Sequence, residues 1–231
     1  MESPLVTALA LLAGEDPALM QIIGLSLRVT LTAVLIASAI ALPLGAALAL
    51  ARFSGRSVII VLFNALMGLP PVVAGLLVYL ALSRSGPLGM LALLFTPTAM
   101  IIAQTVLIVP IILSLTRSVV EDLWAEYAEQ LKSLGAGRVR AVPTLLWEGR
   151  VSLLTGILAG FGRASAEVGA VLIVGGNIAG HTRTMTTAIT LETSRGNLGL
   201  AVALGIVLLG LTLIMNAFAW SVGQWARGRL G

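Results

Sequence analysis

Arg163 and Glu167 stand four positions apart inside a long apolar stretch, the one place where such a stretch carries opposite charges. On a helix that spacing puts both on one face, where they neutralise each other. A lone charge in an apolar setting is costly, so both must face protein interior or water. We read the pair as a self-neutralised brace, with a positive centre offered by Arg163 to an anion as the alternative. Catalytic chemistry has little to work with. The chain has a single histidine, His181, in the loop sequence Gly180-His181-Thr182-Arg183, and no cysteine. It lacks the H-E-x-x-H spacing of a metal site and the G-x-x-x-x-G-K-[ST] phosphate loop. His181 reads as a solvated loop residue, and no metal or cofactor is expected.

The densest polar chemistry lies in Glu121–Arg150, which carries Glu121, Asp122, Glu126, Glu129, Lys132, Arg138, Arg140, Glu148 and Arg150 between segments almost free of charge. From Val119 to Leu134 the apolar residues Val120, Leu123, Tyr127, Leu131 and Leu134 recur at steps of three and four. That pattern predicts an amphipathic helix whose opening acids, Glu121 and Asp122, suit its positive end. Gly135 permits a left-handed cap and, with Gly137, a sharp turn, followed by the basic residues Arg138 and Arg140. From the residues alone, a knob seated in a partner's cleft and a helix lying on the inner leaflet are equally good readings.

The elements around these residues are membrane elements. Hydrophobic residues make up 58% of the chain and charged ones 10%, against about 25% charged in soluble domains; mean hydropathy is +1.04. Five apolar stretches, about 29–51, 58–82, 88–115, 153–174 and 198–222, are long enough to cross a bilayer as helices. The expectation is an all-α integral membrane fold of about five spans. An interfacial or external segment is expected over residues 1–27 and one membrane domain over 28–231, with its polar loop at 116–150. The N-terminus, with Glu15 and Asp16 after a short apolar run, makes a poor signal peptide; an additional half-membrane segment near residues 4–13 is compatible with the pattern. Nine of the 14 basic residues fall on one side of a five-span topology: Arg52 and Arg56, then Arg117, Lys132, Arg138, Arg140 and Arg150, then Arg227 and Arg229. Positive loops stay inside, which puts the N-terminus outside and the C-terminus in the cytoplasm. The net charge of +4 is thus topology, and no nucleic-acid partner is expected.

Gly68-Leu69-Pro70-Pro71 should break the second span, since two prolines remove two backbone donors; a broken helix at mid-membrane suits a polar route. Pro110, in the third span after Gln104 and Thr105, is an even choice between a break and an ordinary membrane proline. The two halves show no repeat, which argues against a self-contained carrier. Five spans are too few to enclose a path, whereas a homodimer supplies about ten around a two-fold axis.

Two blocks resemble a known family. Glu129 and Gly135, followed by Ala136-Gly137-Arg138, are similar to the EAA-x-x-x-G motif of ABC importer permeases, although Gln130 and Leu131 replace the two alanines and Leu146-Trp147 stands near the later Leu-Pro. Phe161–Ala170, with Arg163, Glu167 and Gly169-Ala170, and the run continuing through Asn177, Gly180, Thr182 and Arg183 resemble the oxyanion permeases, most of all the tungstate type rather than molybdate or sulfate. The resemblance implies a type I importer-like fold in the cell membrane, multi-pass and working as a homodimer, with no catalysis of its own. ATP would be hydrolysed by a separate ATP-binding cassette subunit. That subunit would be gripped through Glu126, Glu129, Leu134, Gly135, Ala136, Gly137 and Arg138. Pro70, Pro71, Arg163 and Glu167 would shape the pathway. Asn177, Gly180, Thr182 and Arg183, in the external loop Gly175–Asn197, would receive an extracytoplasmic anion-binding protein. A stand-alone carrier or channel is the alternative from another class.

Overall fold

Lipid offers the backbone no hydrogen bonds, and every regular element among the described residues is helical. The computed structural model of the chain describes residues 4–14 and 16–230. Residues 1–3 and Glu15, within the N-terminal segment expected over 1–27, lie outside them, as do the side chains of Arg227 and Arg229. The α-helices are α1 (Pro4–Ala13), α2 (Pro17–Leu50), α3 (Arg56–Leu66), α4 (Pro71–Leu82), α5 (Pro97–Ser133), α6 (Arg138–Glu148), α7 (Arg150–Ser165), α8 (Gly169–Gly175), α9 (Met185–Ser194) and α10 (Leu198–Leu230). Three helices, α2, α5 and α10, are long and apolar enough to cross a membrane. The pairs α3 with α4 and α7 with α8 add two more if each interrupted pair is one span. That total matches the five spans expected.

The boundaries differ from the sequence reading in ways that have local causes. Helix α2 begins at Pro17, not near residue 28, because Asp16 caps it: its Oδ1 accepts from the amides of Ala18 at 2.8 Å and Leu19 at 3.1 Å. Pro17 fills the first helical position, where the missing N–H costs nothing. Pro43 and Pro110 both sit inside continuous helices, so Pro110 is an ordinary membrane proline here. The expected break at Gly68–Pro71 is present. The chain leaves α3 through short turns, Gly68 N to Ala65 O and Leu69 N to Leu66 O, and Pro71 opens α4. A second interruption, over residues 166–168, falls where one continuous span was expected. The loop expected to be external is also not all loop: α9 lies within Gly175–Asn197, started by reciprocal bonds between Thr184 and Thr187.

The residues group into two compact units. The first comprises the segments up to Ala33, Pro70–Thr105 and Gly162–Ile214. Its core gathers Leu19 and Ile22 of α2, Met185 and Ala188 of α9, and Leu204 of α10. Within it α4 and α8 touch backbone to backbone: a Cβ built on Gly75 would sit 2.6 Å from the Ala170 Cα, so only glycine fits. The second comprises Val34–Leu69, Val106–Phe161 and the segment from Met215. Its core gathers Ala46 and Leu50 of α2, Val120 of α5, and Ala141 and Leu145 of α6.

Candidate functional site

Helix α5 has 37 residues, about 55 Å at 1.5 Å each. A hydrocarbon core is about 30 Å thick, so the polar end of α5 projects well beyond it. The amphipathic segment expected over Val119–Leu134 is therefore no separate surface helix. It is the unbroken continuation of a membrane-crossing one, since nothing between Leu115 and Val120 interrupts the hydrogen-bond ladder.

This projection is fixed at its root. Glu121 accepts from Arg117, one turn earlier, and from Arg56 at the start of α3. Arg56 also donates to the carbonyls of Leu48 at 2.9 Å and Ala49 at 3.1 Å, satisfying orphan acceptors at the end of α2. Two helix ends and the body of α5 are tied by one carboxylate and one guanidinium. Val120, Ala141 and Leu145 bury the apolar seam beside them.

At its far end α5 closes with a two-bond cap. Gly135 has φ of +77°, the left-handed region expected of it. Its N–H donates to Lys132 O at 2.9 Å, and Ala136 N–H donates to Leu131 O at 2.8 Å. Gly137, extended at φ −68° and ψ 168°, then opens α6. The result is a helical hairpin with Leu134, Gly135, Ala136, Gly137 and Arg138 together at its tip and Glu126 and Glu129 on the exposed side of α5. Leu134 is 82% exposed and Val139 85% exposed, an apolar pair on an otherwise polar knob. Val139 was not singled out from the sequence because it is flanked by Arg138 and Arg140. Behind the tip a groove of about 290 Å³ runs between the two helices, lined by Tyr127, Leu131, Leu134, Thr144 and Glu148 among others. Tyr127, on this polar extension, has its phenol raised above the ordinary value, chiefly by hydrogen bonding to Glu126 and then by that residue's charge.

The Arg163–Glu167 pair forms, at 3.1 Å, but not on one helix: α7 ends at Ser165 and Glu167 lies in the turn before α8. Glu167 is 2% exposed. Its Oε1 accepts from Ala170 N at 2.9 Å, its Oε2 from Arg163, and its backbone carbonyl from Thr186 Oγ1 at 2.8 Å. Both carboxylate oxygens and the backbone carbonyl hold the interruption in place. Gln104, not chosen as a site residue from the sequence, donates its Nε2 to Ala164 O at 3.1 Å while its Oε1 is buried without a partner. A lone glutamine in an apolar run is the signal that marks it.

Thr182, expected at a docking surface, is fully buried. It accepts from Ile178 N and donates to Gly175 O, folding the loop from within, so it cannot touch a docked protein. Asn177, at φ +50°, donates to Thr187 O at 3.4 Å. Arg183 is half-buried. Only Gly180, with Ile178, Ala179 and His181, forms an exposed tip. Among the described residues no cluster of His, Cys, Asp or Glu is suited to a metal ion.

A membrane-crossing helix prolonged into a clamped, glycine-capped hairpin gives a membrane protein a fixed knob outside the hydrocarbon core. Residues 39–227 match the family described as binding-protein-dependent transport system inner membrane component, and the chain belongs to that family. It is 42% identical over 94% of its length to the tungstate uptake system permease protein TupB of Peptoclostridium acidaminophilum, covering 95% of that protein. It is 41% identical over 92% of its length to a probable anion ABC transporter permease protein of Haloferax volcanii, covering 94% of that protein. The molybdenum transport system permease protein ModB of Escherichia coli is more distant, at 26% over 91% of this chain and 96% of its own length. The chain is thus a membrane permease subunit of an ABC transporter.

Proposed function

We propose that this chain forms, as a homodimer, the membrane path through which a tetrahedral oxyanion, tungstate before molybdate or sulfate, is imported at the expense of ATP hydrolysed by a separate subunit. The observation that carries the coupling role is the continuity of α5 from Pro97 to Ser133, ending in the Gly135 cap. A force applied at Leu134–Arg138 is delivered along one continuous helix rather than through an irregular linker. Two ATPase subunits seat the two hairpin tips, with Leu134 and Val139 as apolar anchors and Glu126 and Glu129 beside them. ATP-driven approach of the ATPases draws the hairpins together and turns the spans from inward- to outward-facing. The N-terminus is outside and the hairpin inside. An external binding protein rests against the loop around Gly180 and releases its anion there, and its choice of anion sets the substrate.

The substrate reading is supported by the permease relatives named for tungstate and for anions. Arg163 is engaged by Glu167, which suits a weak transit surface rather than a tight anion site that would trap its cargo. ATP-driven uptake of radiolabelled tungstate into vesicles holding the complete system tests the proposal, with sulfate as competitor.

A further inference from the structure

The polar end of the second unit holds a pocket that shares only Arg138 with the coupling tip. It has a volume of about 190 Å³ and is lined by Ala49, Leu50, Ala51, Arg52, Arg56, Trp124 and Arg138. That is smaller than the roughly 300 Å³ at which pockets for drug-sized ligands begin, so a nucleotide does not fit and a phosphate group does. Its lining contains three arginines and no acid. Arg56 is balanced by Glu121, which it shares with Arg117, while Arg52 and Arg138 meet no carboxylate among the described residues' ion pairs. Arg138 instead lies over the Trp124 ring at 5.9 Å, and Lys132 approaches the same ring at 5.9 Å. Trp124 thereby holds Arg138 at the pocket without neutralising it.

The pocket's depth follows from the chain. It sits where the apolar helix α2 ends and the apolar helix α3 begins, and its tryptophan and arginines suit the level of the headgroups. Immediately beyond Arg56, Val58 is 71% exposed, an apolar surface ready for an acyl chain. We propose that this pocket binds the phosphate of an anionic phospholipid of the inner leaflet, held by Arg52 and Arg138 with the Arg56 guanidinium at its back. A lipid so placed rests against α2, α3, α5 and α6 together and stiffens the root of the hairpin. Basic pockets at the cytoplasmic side are suited to such headgroups.

The test is native mass spectrometry of the full-length permease released from nanodiscs of mixed phosphatidylglycerol and phosphatidylcholine. Retention of phosphatidylglycerol over phosphatidylcholine is expected. Each arginine contributes about fivefold to acidic-lipid affinity, so Arg52→Gln with Arg138→Gln should lower that preference roughly 30-fold. The charge-keeping Arg52→Lys with Arg138→Lys should hold most of it, and elution as the same monodisperse species certifies the fold. Equal retention of the two lipids by the native protein would overturn the proposal. So would displacement of the bound lipid by millimolar inorganic phosphate or tungstate, which assigns the pocket to a soluble oxyanion instead.

Discussion

Arg56 and Glu121 join the first turn of α3 to the projecting part of α5, and the same guanidinium holds the last carbonyls of α2. The pair is about one-third exposed, so its charge attraction is screened and is worth about 1 kcal/mol. Arg56→Gln should destabilise more than Glu121→Gln, because it also frees the Leu48 and Ala49 carbonyls. Thermal unfolding of the purified variants in detergent gives the order, and equal losses would show that the capping contributes nothing.

Gly135 and Gly137 differ in a way that substitution can expose. A Cβ at either position meets nothing within 4 Å, but only Gly135 has positive φ. Gly135→Ala should cost about 1 kcal/mol at the cap, while Gly137→Ala leaves the fold unchanged. Amide exchange of the α5–α6 turn, faster in the first variant alone, is the expected result. Gly135→Asp adds a negative charge at the negative end of α5 and should insert normally yet lose ATPase binding.

Glu167 tests the brace. Glu167→Ala strands the partly exposed Arg163 and leaves Ala170 N without its acceptor, which should cost about 1.5–3 kcal/mol. Glu167→Gln keeps an acceptor for Ala170 N and should cost less than half as much. Unfolding midpoints in detergent check both. Little loss in either variant, with altered tungstate uptake, would make the pair part of the anion's path instead.

Orientation is open to direct labelling because the native chain has no cysteine. A Ser133→Cys variant should react with a membrane-impermeant maleimide only after the inner face is exposed. Labelling from outside in intact cells would invert the topology.

Much of the fold was legible because lipid imposes simple demands. The apolar runs marked up to five crossings, and Pro70-Pro71 marked an interruption by removing backbone donors. Gly135 was legible as a left-handed cap since a glycine closing an amphipathic helix has few other uses. What was not legible was set by side chains acting at a distance. The interruption after Ser165 has no proline; it is stabilised by Glu167 turning from a helix-face partner into a cap for Ala170. Helix α9 was hidden in a Thr-rich stretch because its buried face mixes Met185 and Ala188 with the polar Thr187 and Glu192. The continuity of α5 was hidden by the change from all-apolar to amphipathic pattern near Val119, which resembles a boundary although no Gly or Pro stands there. Thr182 looked like an external contact because burial of a single hydroxyl leaves no trace in spacing.

The most direct measurement of the proposed function is tungstate uptake into proteoliposomes containing the permease with and without its ATPase subunit, given ATP and the binding protein. The expected result is uptake that needs the ATPase, exceeds that of sulfate, and is lost with Gly135→Asp, the permease alone hydrolysing no ATP. Uptake by the permease alone under an ion gradient, or wild-type uptake by Gly135→Asp, would contradict the assignment of the α5–α6 hairpin as the coupling element.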